Sequence, residues 1–175
     1  MNISALHKLS YGVYVVTSKK DGRLNGQIAN TVFQVTSEPP TIAVSINRRN
    51  LTWEFIRASR VLAASVLCQE TPLTFIGRFG FKSGRDIDKF QGISYKIGET
   101  GAPVVLEHAV AYLEARVVNE VDVGTHTIFI SEVVSAEVVT DEVCMTYDYY
   151  HQIKGGKTPQ AAATYLAEKK AEKNK

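Results

Sequence analysis

Cysteine is scarce in this chain: Cys68 and Cys144 are the only two among 175 residues. Two thiols cannot build a metal cage or a disulfide framework. They lie far apart in the sequence and each is flanked by apolar residues, so both are expected as buried free thiols. An excess of one charge is lacking as well. A net charge of +2 is too small to point to nucleic acid or to a membrane surface as partner. No apolar run is long enough to span a bilayer, and the opening MNISALHKLSYG has no basic stretch leading into an apolar one. Cytoplasmic residence is the expectation that follows.

The motifs of protein-borne chemistry are missing too. GRFGFKSG holds glycines but does not lead from a strand into a helix, so it is no dinucleotide fingerprint. There is no P-loop, no zinc motif and no serine nucleophile elbow. His7, His108, His126 and His151 are scattered singly, without metal-ligand spacing, and no metal is expected. No pair of carboxylates stands out. Chemistry carried by a bound cofactor leaves such a pattern, and so does a pure binding domain.

What is present is a strand-rich chain with 45% hydrophobic residues, enough for one well-buried core. Residues 13–17 read as a β-strand, closed by turn signals at Asp21-Gly22 and again at Asn25-Gly26. A strand resumes over 27–35 and breaks at Ser37-Glu38-Pro39-Pro40. Residues 41–47 alternate, with Ile42, Val44 and Ile46 on one face. Asn50 then caps a helix reaching about Ser59, with Glu54 in its first turn. Another apolar strand spans Val61–Leu67. Thr71 caps, and Pro72 opens, a second helix that ends near Gly77 or Gly80. FKSGRDIDKFQG shows no period. Two long strands, 109–123 and 127–139, form a hairpin around VGTH, and nothing after Pro103 reads as helix before the tail. Strands do not alternate with helices, which disfavours a doubly wound fold. A mainly β, closed or partly closed barrel is predicted instead.

One junction invites a closer reading. In AVSINRRNLTWEF an alternating strand runs into Asn47-Arg48-Arg49-Asn50 at the start of a helix. Two readings fit: a solvated turn with a cap, or an anion site using the partner-less N–H groups of a helix start.

The stretch YGVYVVTSKKDGRLNGQIANTVFQVTSEPPTIAVSINRRNLTWEFI resembles the N-terminal half of the flavin reductase-like, FMN-binding split-barrel family. It is nearest to flavoredoxins and to the flavin reductase module of high-molecular-weight rubredoxins. FGFKSGRDIDKF, GAPVVLEHAVAYLEARV, VGTHTIFISEV and YHQIKGGKTPQAAATY follow in the family's order, so the match runs over about 6–165. The resemblance implies a Greek-key split β-barrel with short peripheral helices over 1–155, and an extension with a lysine-rich tail over 156–175. It implies a homodimer holding FMN near the interface, with NADH or NADPH as electron donor.

By the same similarity, Gln27, Ile28, Ala29, Asn30 and Thr31 line the flavin ring. Ser45, Ile46, Asn47, Arg48, Arg49, Asn50 and Thr52 hold the ribityl phosphate, which favours the anion reading of the junction. Phe79, Lys82, Ser83 and Arg85 belong to a loop over the flavin, and Tyr149, Tyr150 and Lys154, with Lys157, to a C-terminal segment near it. His126 matches the histidine beside the nicotinamide pocket. The family's hairpin tip commonly reads Gly-Asp-His; here Thr125 replaces the acid, which removes any role for that carboxylate. The chain also lacks the cysteine pairs of a rubredoxin iron domain, so its electron acceptor is expected to be a separate protein or a small molecule. The resemblance implies a flavin reductase; an FMN-binding electron carrier reduced by a partner protein and a flavin-binding domain without turnover are the alternatives.

Overall fold

The computed structural model describes residues 2–165. The lysine-rich tail expected at the C-terminal end lies outside them. A short 3-10 helix, Ile3–Lys8, precedes the first pair of strands, β1 (Tyr14–Lys20) and β2 (Arg23–Ala29). Their hairpin turns at Asp21 and Gly22, both at positive φ (50° and 73°), which the pair Asp-Gly accepts most readily. The second expected turn, Asn25-Gly26, does not form: both residues lie inside β2, opposite Ser18 and Thr17. One turn already closes the hairpin, and Gly26 serves close packing. A Cβ there would stand 2.9 Å from Thr17 Cγ2.

The strand expected over 27–35 is likewise two strands. β2 ends at Ala29, and β3 (Val32–Ser37) begins beyond a bend at Asn30 and Thr31. β3 pairs with β4 (Pro40–Asn47), which runs into helix α1 (Leu51–Ser59) and then β5 (Val61–Leu67). Helix α2 (Leu73–Gly80) starts one residue later than predicted, with Pro72 at the cap position. Thr71 does not cap it, because its hydroxyl donates to Cys68 O at 2.7 Å. Two three-residue strands, β6 (Tyr95–Ile97) and β7 (Pro103–Val105), pair with each other. The long hairpin follows as β8 (Ala109–Val123) and β9 (His126–Val138). Helix α3 (Tyr147–Gln152) comes next, where no helix was read. Thr146 Oγ1 caps it by accepting from Tyr149 N at 3.1 Å.

The main sheet is antiparallel with the order β2-β1-β5-β8-β9-β4-β3. Sequential strands are therefore split between the two ends of the sheet, and the long β8–β9 pair joins the halves. The sheet curls around one core of Val16, Ile42, Val44, Ile46, Leu62, Ala115 and Phe129, with Ile56 of α1 plugging it. Because β2 and β3 are the two edges of the order, the barrel stays open between them. A second apolar cluster (Val13, Phe75, Ile76, Phe79, Phe90, Met145 and Tyr150) fastens α2 and α3 to the outside of β1. The expectation of two buried thiols holds for Cys68 only; Cys144 is exposed. Flanking apolar residues did not bury it, since Val143 beside it is itself exposed.

Candidate functional site

The split in the barrel and the strand-to-helix junction of β4 and α1 open on one continuous cleft. Its two ends are tied first. Thr31 Oγ1 donates to Ser45 O, and Ser45 N to Thr31 O, each at 3.1 Å, clamping the bend after β2 to β4. The turn from β4 into α1 is built by Asn47, whose Oδ1 accepts from Arg49 N and whose carbonyl accepts from Asn50 N, both at 3.0 Å. Asn50 stands at the cap position but makes no side-chain cap. Its Nδ2 instead donates to Gln27 Oε1 at 3.0 Å, fixing the start of α1 against β2. The first-turn N–H groups of a helix have no partner within it, and here the cap side chain does not take one.

The polar half of the cleft encloses about 300 Å³ and is lined by Asn25, Arg49, Asn50, Thr52, Lys82, Ser83, Arg85 and Lys89, among others. Asn25 Nδ2 donates to Thr52 Oγ1 at 2.8 Å, while its buried Oδ1 has no partner among the described residues. Lys89 is 5% exposed, and its Nζ donates to Gly26 O at 2.8 Å and Phe79 O at 3.0 Å. No carboxylate pairs with it or with Arg49 among the described residues. Burial pushes the Lys89 ammonium down to a pKa of about 8. A buried cation with two of its three protons satisfied, beside an unpaired guanidinium, suits an anion such as a phosphate.

The apolar half is narrower, about 40 Å³. It lies among Val13, Gln27, Ile28, Ala29, Asn30, Thr31, Ser45, Asn47, Ile76, Gly80, Phe81, His126, Tyr147, Tyr150 and the segment 157–163. That segment is strapped down along its length. Tyr150 Oη donates to Lys157 O at 2.9 Å, and Tyr147 Oη hydrogen-bonds Thr158 Oγ1. His126 Nε2 lies 3.2 Å from Ala161 O, and Asn30 Nδ2 donates to Thr164 Oγ1 at 2.7 Å. Pro159, Ala161 and Ala162 line both halves. Apolar walls with a few fixed amide, hydroxyl and backbone groups suit a flat heteroaromatic ring. FMN, a ring joined to a phosphate, therefore matches the residues present: an uncompensated cation at one end and an apolar slot at the other.

Most residues singled out from sequence meet here: Gln27, Ile28, Ala29, Asn30, Thr31, Ser45, Asn47, Arg49, Asn50, Thr52, Phe79, Lys82, Ser83, Arg85, His126 and Tyr150 all line the cleft. Arg85 is also ion-paired to Glu54. Four do not. Ile46 is fully buried in the barrel core, as its alternation with Val44 dictates. Arg48 turns the other way, 3.9 Å from Asp122 and over the Trp53 ring. Tyr149 packs on the outer apolar cluster, and Lys154 Nζ donates to Gln69 O at 2.9 Å. Sequence reasoning missed Asn25, Lys89 and Tyr147. Asn25 was hidden by its turn-like neighbour Gly26, and Lys89 by a loop with no period to show which side chains turn inward.

Comparison with known proteins agrees with this geometry. Residues 6–154 match the flavin reductase like domain. The chain is 55% identical to the high molecular weight rubredoxin of Moorella thermoacetica over 173 residues, covering 99% of this chain and 76% of that protein. It is 52% identical to the ferric-chelate reductase (NAD(P)H) of Archaeoglobus fulgidus, covering 97% and 100%. Among solved structures, the NADH:FAD oxidoreductase SgcE6 of Streptomyces globisporus C-1027 superposes with a TM-score of 0.72 at 28% identity, over 81% of this chain and 84% of that one. A mainly β split barrel, a cleft at its opening and a match over residues 6–154 lead to one conclusion: the chain belongs to the flavin reductase like domain family.

Proposed function

We propose that this chain is a flavin reductase that takes hydride from NADH or NADPH onto FMN held in the cleft, and passes the electrons to a separate acceptor. The observation that carries the reading is the cleft's division: an apolar, amide-lined slot continuous with a pocket whose Lys89 and Arg49 have no acidic partner among the described residues. The relatives named a ferric-chelate reductase (NAD(P)H) and an FMN reductase (NADH) support the donor and the cofactor. The rubredoxin relative, longer than this chain, supports delivery onward to an electron-transfer partner.

When bound, FMN supplies a ring that accepts hydride and releases electrons singly or in pairs. The chain's own residues position it and shield it. Arg49, Lys82 and Lys89 would hold the phosphate, with Thr52 anchored by Asn25 beside them. Gln27, held by Asn50, and Asn30 at the bend would present amide groups to the ring's polar edge, while Thr31 fixes the bend through Ser45. Val13, Ile76, Tyr147 and Tyr150 exclude water from one wall. His126, neutral with its proton on Nε2, stands where the strap covers the slot. A nicotinamide ring stacking on the flavin needs that cover displaced, which makes His126 a positioning residue for the donor.

The reading includes a homodimer in the cytoplasm, where reduced nicotinamide is available. Phe33 and Val35 on β3, and Val118, Val121 and Val123 near the end of β8, are exposed apolar side chains on strands beside the cleft, and they support such an interface. A monomeric mass by light scattering with flavin bound would count against it. No helix among the described residues is long and apolar enough to cross a membrane.

Stopped-flow mixing of the FMN-loaded protein with NADH or NADPH tests the function. Rapid loss of the oxidised flavin absorbance is expected with at least one donor. No bleaching with either, together with bleaching by a reduced partner protein, would make the chain an electron carrier instead.

A further inference from the structure

After β9 the chain returns to the barrel, and residues 143–147 wedge between the start of β1 and the end of β5. Met145 N donates to Leu67 O at 2.7 Å, and Gln69 N to Val143 O at 2.9 Å. These bonds flank Cys68 and Cys144, which face each other as an antiparallel bridge pair. Since the neighbouring residues make the bonds, the two cysteines occupy the non-hydrogen-bonded position of the bridge. There the Cα atoms stand about 4.5 Å apart, and the Cβ atoms, closer in such pairs than in hydrogen-bonded ones, at the short end of about 4.5–5.5 Å, on the same face. A disulfide needs Cα atoms about 4.4–6.8 Å apart and Cβ atoms about 3.5–4.5 Å apart. The backbone is therefore placed for a disulfide, while both side chains are free thiols.

The two differ in access. Cys144 is exposed, whereas Cys68 is 1% exposed with its Sγ 3.6 Å from Thr71 Oγ1. An oxidant from solvent reaches one thiol, and the other waits beside it. That pairing of an attacked thiol with a resolving one is the arrangement of redox-sensing cysteines.

We propose that Cys68 and Cys144 form a peroxide-responsive dithiol site that closes to an intramolecular disulfide. The Cys144 thiolate attacks hydrogen peroxide; the O–O bond breaks, leaving a sulfenic acid on Cys144 and releasing hydroxide. The Cys68 thiolate then attacks the Cys144 sulfur, the S–S bond forms, the S–O bond breaks and a second hydroxide leaves; the two protons given up by the thiols convert both hydroxides to water. In sum, two thiols lose two protons and two electrons, and one peroxide becomes two waters. Dioxygen taking electrons from reduced flavin yields such a peroxide; this local source rests on the function proposed above, whereas the site does not. The bond would tie the segment before α2 to the segment entering α3, and those helices bring Ile76, Phe79, Tyr147 and Tyr150 to the cleft.

The test uses the full chain, reduced and then treated with hydrogen peroxide, with remaining thiols alkylated and peptides mapped without reduction. The expected result is a fall from two free thiols to none and a monomer lighter by two hydrogens. A peptide joining Cys68 to Cys144 should appear and be cleaved by dithiothreitol. Cys144→Ser, an exposed change that leaves the core alone, should keep Cys68 unreacted at the same peroxide dose. Cys68→Ser should leave Cys144 as a sulfenic acid that dimedone traps. Oxidation of Cys144 alone, or links between two chains, with Cys68 still a thiol after unfolding, would overturn the proposal. So would a Cys68–Cys144 link forming as fast in urea as in the folded protein, since the fold would then contribute nothing.

Discussion

The hydroxyl of Thr125 stands 2.9 Å from Nδ1 of His126, and this contact sets the state of the imidazole. On the other side of the ring, Nε2 faces the carbonyl of Ala161, which can only accept. The neutral ring therefore keeps its proton on Nε2 and takes the Thr125 hydrogen at Nδ1. Burial favours the same neutral form and lowers the pKa below the ordinary histidine value, with the Ala161 carbonyl acting the opposite way. A carboxylate at 125 would reverse the preference by stabilising the imidazolium.

Thr125→Asp should raise the His126 pKa in an NMR titration, and the parent value should lie below the usual 6.5. Because the folded pKa is depressed, the stability His126 contributes is complete above the unfolded pKa and falls as pH drops through it. His126→Ala should slow flavin reduction by NAD(P)H severalfold while FMN affinity stays within error. Loss of FMN from that variant would show that the ring binds flavin and does not position the donor.

Adjacent arginines should behave differently. Arg49 lines the polar half, whereas Arg48 pairs with Asp122 on the far side of the turn. Arg49→Ala should weaken FMN relative to riboflavin by roughly one to two orders of magnitude, the worth of one charge-assisted hydrogen bond. Arg48→Ala should leave that ratio alone and cost about 0–1 kcal/mol of stability, as exposed ion pairs do. Equal loss of FMN preference in both variants, measured by flavin fluorescence quenching, would contradict the placement.

Lys89 sets a pH dependence. With a pKa of about 8, the ammonium deprotonates above that pH, so FMN affinity should fall as pH rises past it while riboflavin affinity stays level. Lys89→Met should flatten the FMN profile. The same shift has a stability sign. A lysine depressed in the folded state penalises folding below its folded pKa, and the penalty lifts as pH rises from about 8 towards the unfolded value near 10.4. Over that window the urea midpoint of the parent should rise relative to that of Lys89→Met.

The strap over the apolar half should limit flavin access. About 40 Å³ is far below the roughly 300–1,000 Å³ of a typical ligand pocket, so residues 157–163 must move for a ring to enter. A chain ending at Gly156 should bind FMN with a faster association rate in stopped-flow fluorescence. An unchanged rate would mean that the ring arrives by another path.

Much of the barrel was legible in the residues. Alternation over 41–47, the Asp21-Gly22 turn and the VGTH hairpin are local signals, and β1, β4, β5, β8 and β9 form close to where those signals stand. Local signals also explain the misses. β6 and β7 are three residues each, too short to show a period, and α3, YDYYHQ, is too short and too aromatic to show a helical one. Asn25-Gly26 is a turn pair by composition, yet the partner strand β1 runs past it and its hydrogen bonds hold it in the ladder.

The sequence by itself determined the strand-rich architecture, the order of its hairpins and the family motifs, because turn chemistry and two-residue alternation are properties of neighbouring residues. Tertiary structure alone decided that Arg49 and not Arg48 lines the cleft, that Asn25 and Lys89 join it, and that Cys68 stands opposite Cys144. Those pairings bring together segments far apart in the chain. They depend on sheet register and on which face a turn presents, and a shift of one residue would exchange every one of them.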